Sequence, residues 1–125
     1  MISARFHLRL QSPQHEPIGP GKISLLEAIG KEGSISAGAK RHQMSYRRAW
    51  QLVDEVNQAL RSPAVVTAVG GRKGGGAMLT PAGESLIKLY REVEAQALAT
   101  NQEHLVQLRN LMDDTSKDFQ AMTSV

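Results

Sequence analysis

A mainly α-helical chain carrying a small β-hairpin is the fold class this sequence predicts, on three observations. Apolar residues recur at three- and four-residue spacing through several stretches of helical length. Two short strand-like runs, 64–69 and 77–80, flank the glycine-dense stretch "GGRKGGGA" at 70–77. The 125 residues have room for one domain with one extra element, and they contain no cysteine. Disulfides, zinc–thiolate sites and thiol catalysis are thereby excluded together.

Along the chain, residues 4–11 alternate strictly, with Phe6, Leu8 and Leu10 on one face, and predict a half-buried strand. "SPQHEP" cannot continue it, having two prolines in six residues. A first helix is expected from about Pro20 to Glu32, on the stripe Ile23, Leu26 and Ile29, with Gly33 placed to end it. "SISAGAKRH" reads as a short second helix with Ser36 as its N-cap, and its small residues Ala37, Gly38 and Ala39 admit a close neighbour. After a tight connection at 43–44, a third helix is expected from Ser45 to about Leu60. Its apolar face is Tyr46, Ala49, Trp50, Val53, Val56 and Leu60, and its polar face is Arg47, Arg48, Gln51, Glu55 and Gln58. Trp50, on the apolar stripe, is expected in the core. Thr80-Pro81 reads as an N-cap followed by proline at the first helical position. A long helix is expected over 81–112, and a polar, mobile tail over 113–125.

The glycine stretch raises the question of which phosphates it touches. A nucleotide-binding loop needs G-x-x-x-x-G-K-[ST] between a strand and a helix. Here the cations precede the second glycine cluster, no Lys-Ser or Lys-Thr follows, and the loop runs from strand to strand. A bare hairpin tip is one alternative. The other is a wing that lies along a duplex, where glycines allow close backbone approach and Arg72 and Lys73 neutralise phosphates. The preceding segment favours the wing. "GSISAGAKRHQMSYRRAWQLVDEV" has a short helix, a brief turn and a longer amphipathic helix with basic N-terminal positions, the form of a helix-turn-helix.

In such a motif the start of the second helix meets base edges in the major groove. Ser45, Tyr46, Arg47, Arg48 and Gln51 are the candidate residues there, since arginine pairs with guanine and glutamine with adenine. Gly71, Arg72, Lys73 and Gly74 are the candidate wing contacts, and Ser34, Ser36, Lys40 and Arg41 are candidate phosphate contacts. Charge agrees: residues 1–91 carry 13 Lys and Arg against 6 Asp and Glu, while 92–125 carry 2 against 6. A basic body with an acidic C-terminal segment suits a polyanion binder.

Other classes find less support. His7, His15, His42 and His104 fall at no metal-ligand spacing. No Ser/His/Asp set or usefully spaced carboxylate pair is present, so an enzyme is not expected, and no cofactor is assigned. "MISARFHLRL" interrupts its apolar residues with Arg5, His7 and Arg9, unlike a signal peptide, and no apolar run approaches a membrane span. The expectation is a cytoplasmic protein with no membrane partner. Leu98, Leu105 and Met112 recur every seven residues with Leu108 between them, which predicts a homodimer seam.

"ISLLEAIGKEGSISAGAKRHQMSYRRAWQLVDEVNQAL" followed by "GGRKGGGAMLTPAGESLIKLY" resembles the N-terminal DNA-binding domain of the molybdate-responsive ModE regulators, relatives of the LysR-type winged helix. The resemblance covers about residues 4–95. It implies a dimeric transcription regulator in which Ser45 to Gln51 read the groove and Gly70 to Gly76 form the wing. It thus implies a winged helix-turn-helix over 1–80, joined to a long dimerisation helix over 81–112. ModE regulators continue into β-rich molybdate-binding domains, whereas only thirteen residues follow Met112 here. The expectation is a stand-alone DNA-binding version or a fragment, with no tight molybdate binding by this chain. Two functions remain to be distinguished: sequence-specific regulation and architectural DNA binding with little sequence preference.

Overall fold

The computed structural model describes residues 2–68 and 76–113. The wing tip and the tail from 114 onward therefore lie outside the described residues, with Gly71, Arg72, Lys73 and Gly74 among them. Among the described residues nine elements follow in order: β1 (Leu10–Ser12), β2 (His15–Ile18), α1 (Pro20–Glu32), α2 (Ile35–Arg41), α3 (Tyr46–Ala59), β3 (Val65–Ala68), β4 (Gly76–Leu79), α4 (Pro81–Thr100) and α5 (Gln102–Leu111). They fall into two compact units, His7–Glu94 and the residues up to Phe6 together with those from Ala95 onward. The larger unit has the winged helix architecture, three helices followed by an antiparallel hairpin.

The strand expected over 4–11 forms only at Leu10–Ser12, where it pairs with β2. Alternation makes a face but not a ladder, and residues 4–9 have no strand to pair with among the described residues. Instead of merely breaking the strand, "SPQHEP" turns the chain back at Pro13-Gln14. Pro17 sits within β2, which a two-stranded ribbon tolerates because each strand keeps an open edge.

Helix α1 begins with proline in its first turn and ends at Gly33, whose φ of 83° is a left-handed conformation that glycine adopts without strain. It supplies the centre of the core, with Ile23, Leu25, Leu26 and Ile29 at most 1% exposed. Helix α2 is capped by Ser34, whose hydroxyl accepts from the Ala37 amide at 3.0 Å. That corrects the expected cap at Ser36, which is the second residue of the helix and is exposed. A Cβ on Gly38 would meet Ile29 Cγ1 at 2.7 Å, so the small residues do let α2 approach α1 closely.

Helix α3 starts where expected, with Ser45 as its cap, the hydroxyl accepting from the Arg48 amide at 3.1 Å. Its buried stripe is narrower than expected. Ala49, Val53 and Val56 are buried and Leu52 and Leu60 half-buried, but Tyr46 is 55% and Trp50 50% exposed. At 100° per residue, Trp50 lies about a quarter-turn from the centre of the buried stripe. Three- and four-residue spacing includes such flanking positions as readily as central ones, and the core here closes without them.

Asn57 fixes the exit from α3. Its Oδ1 accepts from the amides of Ala64 at 2.8 Å and Val65 at 3.2 Å, and its Nδ2 donates to the Val65 carbonyl at 3.1 Å. Three backbone groups that would otherwise lack partners are satisfied by one side chain. From there β3 pairs with β4 in the register Val65↔Leu79 to Ala68↔Gly76, and the Ala77 amide donates to the Gly33 carbonyl at 2.9 Å. The hairpin is thus tied both to α3 and to the end of α1.

Thr80 caps α4 as expected, its hydroxyl accepting from the Gly83 amide at 3.1 Å while donating to the Pro63 carbonyl at 2.6 Å. The single helix expected over 81–112 is two helices. At Asn101 the side-chain amide donates to the Ala97 carbonyl at 2.7 Å, taking an acceptor that a continuing helix would give to its own backbone. Thr100 and Asn101 are both weak helix formers, and together they end α4.

Candidate nucleic-acid interface

The first two turns of α3 bring the sequence-predicted residues together. Ser45, Tyr46, Arg47, Arg48 and Gln51 are all exposed. No carboxylate occurs before Asp54, so this end of the helix is wholly cationic and neutral. Arg47 and Gln51 are four residues apart and share the row opposite the buried Ala49, Val53 and Val56. Arg47 makes no ion pair or hydrogen bond among the described residues, so its guanidinium is available to a ligand.

Arg48 lies on the neighbouring row within a polar chain. Its Nη1 donates to Gln51 Oε1 at 3.3 Å, and Gln51 Nε2 in turn meets Glu55 Oε2 at 3.5 Å. Glu55 pairs with Lys22 of α1 at 2.9 Å, and Lys22 Nζ also donates to the Pro17 carbonyl at 2.7 Å. This chain orients the Arg48 and Gln51 side chains before any ligand arrives. Both keep donors free, since a guanidinium has five N–H groups and the glutamine amide two.

The candidate phosphate contacts divide. Ser34 is half-buried and engaged as a cap, though its hydroxyl proton can still be donated outward. Ser36 and Lys40 are exposed and unpaired among the described residues. Arg41 is held by Glu32 at 3.0 Å, with 54% and 32% of the two side chains exposed, so it meets a phosphate only by sharing or leaving that pair.

Sequence reasoning missed the groups that hold α4 on the domain. The Tyr90 hydroxyl donates to the Leu8 carbonyl at 2.7 Å, fastening the extended N-terminal segment. Burial, followed by the charge of Glu94, pushes the Tyr90 phenol up in pKa against the opposing effect of Arg91, so it remains a donor near neutral pH. Arg91 grips Glu27 of α1 in bidentate fashion at 2.6 and 3.0 Å, and also bonds Glu94 at 2.8 Å and Ser24 at 3.3 Å. The hydrogen bonds from Glu27 and then Glu94 raise its already high pKa, outweighing desolvation. Asn57 belongs with these, since it sets where the hairpin leaves α3. An asparagine close before Pro63, at the end of a helix, was its only sequence signal.

Of the expected seam residues, Leu98 lies on α4, Leu105 and Leu108 lie on α5, and Met112 is the cap that follows α5. Leu98, Leu108 and Met112 are 37%, 55% and 58% exposed, while Leu105 is half-buried. The break at Asn101 falls between Leu98 and Leu105, so their seven-residue spacing does not run along one helix. Among the described residues no helix is long and apolar enough to cross a membrane. No group of three His, Cys, Asp or Glu is placed there to hold a metal ion.

No protein-family model matches the chain. The chain is 50% identical over 78 residues to the molybdenum-pterin-binding protein MopB of Rhodobacter capsulatus, a match covering 62% of this chain and 29% of MopB. It is 44% identical over 89 residues to the DNA-binding transcriptional dual regulator ModE of Escherichia coli K12, covering 71% of this chain and 34% of that protein. The matched stretch thus spans about a third of the length of these curated relatives. In fold, the chain is similar to the CbnR DBD in its crystal complex with DNA, with a TM-score of 0.54 and 17% identity over 70% of this chain and 95% of the other.

Proposed function

We propose that this chain, which over its N-terminal part is a homologue of the ModE and Mop proteins, is a sequence-specific DNA-binding transcription regulator. Helix α3 enters the major groove, Arg48 and Gln51 read base edges with Arg47 beside them, and the hairpin tip at 70–76 follows the backbone as a wing. The observation that carries this is the acid-free, exposed first half of α3, where three polar side chains suited to base edges stand together. The chain acts by binding rather than by catalysis. An architectural role with little sequence preference is the second reading, and the preset Arg48–Gln51 pair favours the first, because coating a backbone needs charge but not orientation.

The test is affinity for a duplex selected from a random-sequence library, compared with a scrambled duplex across a salt series. The regulator reading expects a clear preference for the selected site, and a ratio near one would establish the architectural reading instead. Replacing both Arg72 and Lys73 with alanine is expected to weaken binding to the two duplexes alike and to reduce the slope of log affinity against log salt by roughly two. An unchanged slope would remove the wing from the interface.

The regulator functions as a homodimer through the exposed apolar side chains of α4 and α5, which a monomer would leave in water. Two-fold symmetry then calls for a palindromic operator with half-sites about one helical turn, or a multiple of it, apart. Sedimentation at micromolar concentration is expected to show a dimer for the wild type and dissociation for Leu108→Asp. A monomeric wild type would refute the assignment. No molybdate site is assigned to this chain: calorimetric titration with molybdate is expected to give no saturable heat, and a micromolar site would contradict that.

A further inference from the structure

We infer that Tyr46 and Trp50 form an apolar reading edge on α3 that packs against thymine methyl groups in the major groove, an inference that rests on the DNA-binding reading of this helix. Four of the five aromatic residues of the chain are described, Phe6, Tyr46, Trp50 and Tyr90. The two that are exposed are neighbours on one row, four residues apart, at 55% and 50% exposure. Every other large apolar residue of α3 is buried or half-buried. Half an indole in water is a standing loss that the free protein tolerates, and apolar surface of this kind marks an interaction site.

The surroundings decide the occupant. The aromatic row borders the Arg47–Gln51 row, with Arg47 unpaired among the described residues and no carboxylate in the first two turns of α3; Asp54 is the next residue on the aromatic row. An apolar edge bordered by a free guanidinium complements a polyanion with apolar features on its inner surface. Duplex DNA has one such feature in its major groove, the C5-methyl of thymine. Side chains one helical turn apart are separated by roughly 6 Å, against a rise of roughly 3.4 Å per base pair, so the two rings span thymines about two steps apart. Arginine and glutamine would then specify guanine and adenine while the aromatic edge specifies thymine beside them.

Trp50 is the only tryptophan, so its fluorescence reports on this edge directly. The test uses a duplex selected by the chain from a random-sequence library, together with copies in which single thymines are replaced by uracil. Acrylamide quenching of Trp50 is expected to fall when the selected duplex binds, with binding followed independently by the anisotropy of labelled DNA. Uracil at the contacted positions is expected to weaken wild-type binding by about fourfold each, the factor for one buried methyl-sized group. Trp50→Ala should lose that sensitivity and Trp50→Phe retain most of it, both unfolding in urea close to the wild type. Binding with the indole still fully quenchable overturns this inference while leaving the DNA-binding reading intact. A shielded indole with no uracil effect at any thymine overturns the methyl contact. Failure to select any duplex removes the DNA-binding reading, and this inference with it.

Discussion

Gly83→Ala is expected to destabilise the chain by about 2 kcal/mol or more, although alanine is the better helix former by about 1 kcal/mol. Gly83 lies buried in the first turn of α4, and an added Cβ would collide with the carbonyl oxygen of Ala64 and stand 3.0 Å from its carbon. The obstacle is backbone, not the flexible end of a side chain. It is also pinned: the Ala64 amide donates to Asn57 Oδ1 at 2.8 Å, and its carbonyl accepts from the Thr80 amide at 2.9 Å. Relief would require breaking hydrogen bonds that set both the exit of α3 and the start of α4. Gly21→Ala serves as the contrast, because nothing lies within 4 Å of its added Cβ in α1, and a gain of about 0.5–1 kcal/mol is expected there. Urea denaturation of the two variants and the wild type at one protein concentration makes the comparison. A Gly83→Ala midpoint at or above the wild-type value would refute the pinned-backbone account.

Arg48→Ala and Gln51→Ala are each expected to reduce operator discrimination by about 1–3 kcal/mol, while leaving affinity for scrambled DNA nearly unchanged. The two side chains are bonded to each other at 3.3 Å, so their effects should not add: removing Arg48 also releases the orientation of Gln51. A double-mutant cycle on selected and scrambled duplexes measures the coupling. Equal losses on both duplexes would make these residues backbone contacts. Arg47 shares the outward row with Gln51 and is free of partners among the described residues, so Arg47→Ala belongs in the same series.

The sequence by itself determined what is encoded locally. The bounds of α1, the start of α3, the Thr80 cap and the two strands of the hairpin all follow from spacing, capping chemistry and turn residues within a few positions of each other. The motifs around 34–51 and 70–80 carried the resemblance to the ModE regulators for the same reason, since they are contiguous. Only the tertiary structure decided matters that depend on a partner far along the chain. Residues 4–9 alternate like a strand yet have no neighbour to pair with. Trp50 sits on an apolar stripe, but the core closes around Ala49, Val53 and Val56 and leaves it out. Arg91 and Glu27 stand 64 residues apart, and Tyr90 and Leu8 82 apart, separations at which no spacing rule operates. Periodicity states which side chains share a face. What covers that face, and how far round the helix the cover reaches, depends on the volume and position of the elements packed against it.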